Sequence, residues 1–145
     1  MKSFFKKICI SSDHAGFELK DFIKDILIKS KIPIIDLGPF NDRSVDYPDY
    51  AKRVSKRVSS KKSEIGILVC GSGTGMAISA NKTKGIRAAV GYNIKSTQLS
   101  RRHNNANILC LGSRLTNKKN IAKILSSFLN TKFEGGRHKR RVNKI

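Results

Sequence analysis

No stretch of the 145-residue chain approaches the roughly 18 apolar residues that a membrane-spanning helix needs, so no span is expected. The N-terminus lacks a leader pattern. Met1-Lys2-Ser3-Phe4-Phe5-Lys6-Lys7 runs straight into the apolar Ile8-Cys9-Ile10, with no h-region and no small-residue cleavage site, and the expected location is the cytosol. Cysteine is scarce: there are 3, an odd number, and none forms a CxxC pair, which argues against a zinc site or a disulfide framework. Acidic residues are scarce as well, 10 against 30 lysines and arginines, for a formal net charge of +20. Such an excess can bind a phosphate backbone by counterion release. Yet the lysines are scattered over helix faces and loops, and the aromatics nearest basic clusters, Tyr92 and Phe133, are not interleaved with them as a stacking platform. Nucleic acid is therefore not expected as a partner. Internal repeats and low-complexity segments are also missing. What remains is a length suited to one domain, residues 1–145, with a real core.

The most informative stretch is residues 65–76, Ile-Gly-Ile-Leu-Val-Cys-Gly-Ser-Gly-Thr-Gly-Met. Its β-branched apolar run reads as a buried strand. The alternate glycines Gly71, Gly73 and Gly75 permit a tight turn whose N–H groups can converge on one anionic atom. A helix is predicted over 76–83. Cys70 then lies at the C-terminal end of a strand, beside a helix start, where open α/β sheets bind ligands and where a thiolate is favoured. A nucleophile or base beside an oxyanion pocket is one reading; a buried cysteine before an ordinary turn is the other. Cys9 and Cys110 sit in short apolar runs and read as small buried hydrophobes.

Strand and helix signals alternate along the chain. Strands are predicted at 7–11, 32–37, 65–70, 86–92 and 108–112. Helices are predicted at 16–29, from Tyr47-Pro48 onward, and at 76–83, 95–103 and 118–129. Short links between such units imply a Rossmann-like, doubly wound α/β sheet of about five parallel strands with helices on both faces. Residues 134–145 form a basic tail after Gly135-Gly136. Any helix there is short, and the tail is expected to pack on another surface, such as a partner subunit.

The 3 histidines all fall in polar, loop-like settings. His14 follows the first strand, His103 precedes the fifth, and His138 lies in the tail. Each alone reads as an ordinary surface histidine; together, two of them flank strands where loops gather. Arg114, Arg137 and Arg141 are able to clamp a phosphate, since guanidinium meets phosphate bidentately and stays charged. A solvated basic tail accounts equally well for the last two. The glycine loop is only part of a dinucleotide fingerprint. It lacks the third glycine, follows the third strand rather than the first, and has no acidic residue about 20 positions on. The P-loop Gly-Lys-Ser/Thr ending is absent too.

With these segments assembled, the chain resembles type B ribose-5-phosphate isomerases, a family that also contains galactose-6-phosphate isomerase subunits. The resemblance rests on Ser12-Asp13-His14-Ala15-Gly16-Phe17, Asp46-Tyr47-Pro48, Cys70-Gly71-Ser72-Gly73-Thr74-Gly75 and Ala80-Asn81-Lys82. It continues through Gly85-Ile86-Arg87-Ala88, Ser100-Arg101-Arg102-His103-Asn104, Leu111-Gly112-Ser113-Arg114 and Gly135-Gly136-Arg137-His138.

The resemblance implies metal- and cofactor-free interconversion of ribose 5-phosphate and ribulose 5-phosphate through an enediolate, a step of the pentose phosphate pathway. It implies Cys70 as the base between C1 and C2 and His103 as the ring-opening group. The N–H groups of Gly71, Ser72, Gly73, Thr74 and Gly75 would hold the enediolate oxygen. Asp13, His14 and Asn104 would hold sugar oxygens, Tyr47 would line the pocket, and Arg114, Arg137 and Arg141 would bind phosphate. Two subunits, in a homodimer or tetramer, would complete each site.

Two positions depart from the family. Ser72 stands where many cysteine-type members carry threonine. Met76 stands where another branch carries glutamate, so the base assignment falls on Cys70. The alternatives are another phosphosugar, such as galactose 6-phosphate or allose 6-phosphate, and a non-catalytic nucleotide or nucleic-acid binder on the same fold. The latter would need neither Cys70 nor His103 at strand ends.

Overall fold

A computed structural model describes residues 1–145. Three apolar runs form its central strands, β1 (Ile8–Ser12), β3 (Ile65–Cys70) and β5 (Ile108–Gly112), buried at every position. Continuous burial is what a parallel sheet covered on both faces requires. The edges are β2 (Ile34–Asp36) and β4 (Ala88–Val90), and all pairings in the order β2-β1-β3-β5-β4 are parallel.

Side chains alternate along each strand, and this decides which helix covers which face. Ile8, Ile10, Ile67, Val69, Leu109 and Leu111 point to one side, where α1 (Phe17–Lys29) adds Leu19, Ile23 and Leu27, and α5 (Lys118–Asn130) adds Ile121, Leu125 and Phe128. Cys9, Leu68, Cys70 and Cys110 point to the other side. There α2 (Tyr47–Ser59) adds Ala51, Val54 and Val58, and α3 (Thr74–Ala80) adds Met76, Ala77 and Ala80. Helix α4 (Ile94–Asn104) starts with a reciprocal cap between Asn93 and Ser96 and packs on α5. A last short helix, α6 (Gly136–Val142), rests on α4 of its own chain.

The predicted doubly wound parallel sheet is therefore present, with differences at its margins. The edge strands are shorter than the predicted 32–37 and 86–92. Ile32 is spent on closing α1, its N–H donating to Leu27 O at 2.9 Å, and Ile86 N–H bonds Thr83 O rather than a strand. Helix α3 begins at Thr74 rather than Met76. Gly73 turns the chain with φ +78°, and its carbonyl takes the Ala77 N–H at 3.1 Å, so Thr74 and Gly75 join the first turn. The helix also ends early, at Ala80. Asn81 leaves it to pair its side-chain amide with both backbone groups of Ala88, at 3.0 and 2.8 Å.

Chain order places the site. After β1 the chain runs outward to β2, then returns across β1 to β3. The crossovers leave β1 and β3 in opposite directions, so a crevice opens between their C-terminal ends, the switch point at which open α/β sheets take ligands. Asp13 follows β1 at that crevice and Cys70 ends β3.

Candidate active site

Cys70 sits where strand meets turn, and the turn closes around its sulfur. Gly73 N–H donates to Cys70 Sγ at 3.1 Å, and the Cys70 carbonyl accepts Ser113 N–H at 2.8 Å. Thr74 N–H is taken by Ser72 Oγ at 3.3 Å. The N–H groups of Gly71, Ser72 and Gly75 make no bond within the chain. Of the five expected oxyanion donors, two are thus engaged internally and three are available. The loop packs tightly. A Cβ on Gly75 would stand 3.0 Å from the Tyr47 ring, which lets the first turn of α3 lie against α2.

In front of Cys70 is a cavity of about 260 Å³ lined by Asp13, Tyr47, Ser72 and Arg114, with Gly71 and Gly75 in its wall. Asp13 is held by its own turn, accepting Gly16 N–H at 3.0 Å, and is 7% exposed. Arg114 N–H donates to Gly71 O at 3.0 Å, which brings the guanidinium over the glycine loop. His14 faces a neighbouring cavity of about 390 Å³ with Ser113 and Lys118, and its Nδ1 accepts Val45 N–H at 3.2 Å. The other two cysteines offer nothing to this crevice. Burial pushes both the Cys9 and the Cys110 thiols up, so they remain protonated inside the sheet.

His103, Asn104, Arg137 and Arg141 lie elsewhere. Helix α4 runs back along the sheet and ends where β5 begins, and Gly66 N–H pairs with Asn107 O at that end. Cys70 is at the opposite, C-terminal end of the strands, paired with Gly112. At about 3.3 Å of rise per residue, the length of β3 alone keeps the two ends roughly 15 Å or more apart. The structure brings Asp13, Tyr47, Cys70 to Gly75 and Arg114 together, with His14 beside them. It does not bring His103, Asn104, Arg137 or Arg141 of the same chain to that crevice.

This second group has its own order. Arg87 Nε holds the last carbonyls of α4, Asn104 O at 3.1 Å and Asn105 O at 3.0 Å. Arg101 is buried beneath, bonded to Ala106 O and Asn105 Oδ1; burial, with Arg87 nearby, lowers its pKa to about 10. The His103 and His138 rings stack with centroids 4.2 Å apart and planes inclined by 8°. Neither ring is in a loop: His103 is in the last turn of α4, and His138 is within α6 and buried. Glu134 lies beside both, its Oε2 3.7 Å from His103 Nε2 and 3.5 Å from His138 Nε2, while Arg102 holds the other oxygen. Burial first, then the neighbouring His103 ring and the Arg137 and Arg141 guanidiniums, lower the His138 pKa, with Glu134 opposing. Arg102 chiefly holds the Glu134 carboxyl below its usual range.

Ligand atoms of His103, Glu134 and His138 come within 4.8 Å of one another. Nearly parallel rings set their in-plane lone pairs side by side rather than converging, Arg102 occupies the carboxylate, and guanidiniums surround the corner. That arrangement fits a counter-ion better than a metal centre. Glu134 was not among the residues singled out from the sequence. Its signal was an acid four residues before His138 in an otherwise basic tail, the spacing of facing helix neighbours.

Comparison with known proteins bears on the same residues. The model of the Ribose/Galactose Isomerase family matches residues 8–145. Ribose-5-phosphate isomerase B of Escherichia coli is 42% identical over 140 residues, 97% of this chain and 94% of that one. Among solved structures, a ribose 5-phosphate isomerase from Thermotoga maritima is 48% identical with a TM-score of 0.93, covering 95% of both chains. Ribose-5-phosphate isomerase B from Mycoplasma genitalium, solved with bound ribulose 5-phosphate, is 44% identical with a TM-score of 0.89, covering 94% of this chain and 91% of that one. With the match running through the thiol loop, the α4 histidine and the tail arginines alike, the chain belongs to the ribose/galactose isomerase family.

Proposed function

We propose that this protein interconverts ribose 5-phosphate and ribulose 5-phosphate through an enediolate, with Cys70 as the base. The observation that carries the reading is a strand-end thiol in a small polar cavity at the switch point, with three unengaged N–H groups beside it. From the open aldose, Sγ takes the C2 proton. The electron pair forms the C1–C2 double bond, and the carbonyl pair moves onto O1, facing the N–H groups of Gly71, Ser72 and Gly75. The O2 proton passes to O1, the C2 carbonyl forms as the carbon-bound proton returns to C1, and the ketose results. Asp13 and Tyr47 line the path of the sugar hydroxyls, Arg114 lies toward the phosphate, and His14 extends the polar wall.

The remaining groups come from a second copy of the chain. His103 and Asn104 would reach the sugar ring, and Arg137 and Arg141 the phosphate, because one chain holds them at the wrong end of its sheet. The protein is accordingly a homodimer at least, with the basic tail completing the neighbour's site. The relative with bound ribulose 5-phosphate supports a pentose over a hexose phosphate. The test is isomerisation of a panel of five- and six-carbon phosphosugars. Ribose 5-phosphate should have the highest kcat/KM, and a hexose 6-phosphate turned over faster would reassign the substrate.

A further inference from the structure

The corner around His103 holds more order than a ring-opening histidine alone requires. Arg102, Arg137 and Arg141 bring positive charge to it, and Glu134 is the carboxylate beside the His103 and His138 rings. Its placement is fixed twice: its N–H donates to Arg102 O at 3.0 Å, and the Arg102 guanidinium holds its Oε1. The remaining oxygen faces the Nε2 atoms of both histidines, at ion-pair rather than hydrogen-bond distance. His138 then covers one face of the His103 ring. The imidazole is bounded by a stacked ring on one face and a carboxylate at its Nε2 edge. The Nδ1 edge is left for a substrate.

We propose that Glu134 is a positioning residue for His103, holding its Nε2–H toward the carboxylate and presenting Nδ1 to the sugar, with His138 as the plate that fixes the ring plane. The inference rests on the role proposed above for His103. Opening the furanose breaks the C1–O4 bond, sends its electron pair to O4, and moves one proton net from O1 to O4 as the C1 carbonyl forms. A nitrogen that must hand over that proton depends on a fixed ring orientation and a fixed tautomer. The Glu134 charge 3.7 Å from Nε2 favours the Nε2–H tautomer, and the stacked His138 ring holds the plane.

Ring opening and enolisation separate by experiment, because ribulose 5-phosphate has no furanose through its phosphorylated O5. In D2O its C1 proton exchanges through the enediolate alone. Glu134→Gln keeps the shape and removes the charge. Its kcat on ribose 5-phosphate should fall about 10–100-fold. Deuterium wash-in to ribulose 5-phosphate, and the KM for that ketose, should both stay within about twofold of wild type. His138→Ala should show the same split, and His138→Phe, which keeps a stacking ring, a smaller one. Turnover and wash-in falling together would overturn the proposal, leaving Glu134 as an anchor of the tail and its phosphate clamp. Neither falling would overturn it as well. Wild-type protein without any wash-in would instead overturn the isomerase reading itself.

Discussion

Mixing two impaired variants should regenerate activity, because the proposed half-sites lie too far apart to belong to one chain. Cys70 lies at the C-terminal end of β3, while Arg137 is carried on α6, against α4 towards the N-terminal ends of the strands. With roughly 15 Å or more of sheet between them, no side chain bridges the gap within one chain. Cys70→Ala removes the proposed base, expected to cost about 10²–10⁴-fold. Arg137→Ala removes a proposed charged contact to the phosphate, worth about 1.5–3 kcal/mol, so at low substrate roughly a tenth to a hundredth of the activity survives. Random exchange of equal amounts makes half the dimers mixed. In each mixed dimer one site combines both lesions and the other combines intact Cys70 with intact Arg137. About a quarter of wild-type activity should return, well above either parent. The assay is initial-rate isomerisation at substrate below KM after subunit exchange, with mixed dimers verified by native mass spectrometry. Verified mixed dimers with no recovery would refute the shared site and place all catalytic groups within one chain.

Two further perturbations follow from particular residues. His103→Asn should abolish most turnover of ribose 5-phosphate, about 10²–10⁴-fold, while preserving deuterium wash-in from ribulose 5-phosphate; loss of both would deny it a ring-opening role. Lys20 is fully buried and donates to Asp36 at 3.0 Å and to Pro39 O, and Lys24 adds a second ammonium to Asp36 at 2.7 Å. Burial alone would raise the Asp36 pKa, but Lys24, Gly38 N–H and Lys20 outweigh it and hold the pKa below the ordinary value. Its stabilisation is therefore complete above the ordinary carboxylate pKa and lost as pH falls through the lower folded value. Lys20→Met should cost about 3–5 kcal/mol at neutral pH by denaturant titration, with the difference narrowing as pH drops through the carboxylate range; a cost independent of pH would contradict the pairing.

The parts of the fold legible in the sequence are those where a local pattern coincides with a tertiary constraint. Ile65–Cys70 and Ile108–Gly112 read correctly to the residue because both faces of these strands are covered, so the apolar run and the strand coincide. Edge strands have one neighbour, and Ile32 and Ile86 are apolar for packing reasons that no ladder uses. The helix start at Thr74 was hidden because glycine is a poor helix former, and the αL turn at Gly73 overrides that preference. Cys70 and Asp13 were legible as strand-end residues. Their adjacency was not, because it depends on the order β2-β1-β3-β5-β4, which no local pattern encodes. His103 precedes the fifth strand in the sequence and in the fold. That position, in a parallel sheet, already implies the end of the strands opposite Cys70. Glu134 escaped notice because its importance lies in what surrounds it, a carboxylate between two histidines and an arginine brought together by α4 and the tail.

Cys70 is the group proposed to move the proton between C1 and C2. The most direct test of that role follows ribulose 5-phosphate in D2O by NMR with wild-type and Cys70→Ala protein, each confirmed folded by thermal unfolding. This reaction needs neither ring opening nor release of an aldose. Wild-type protein should exchange the C1 proton, and Cys70→Ala should exchange it about 10²–10⁴-fold more slowly with the fold retained. A folded Cys70→Ala variant that exchanges the proton near the wild-type rate would contradict the account and assign the base to another residue.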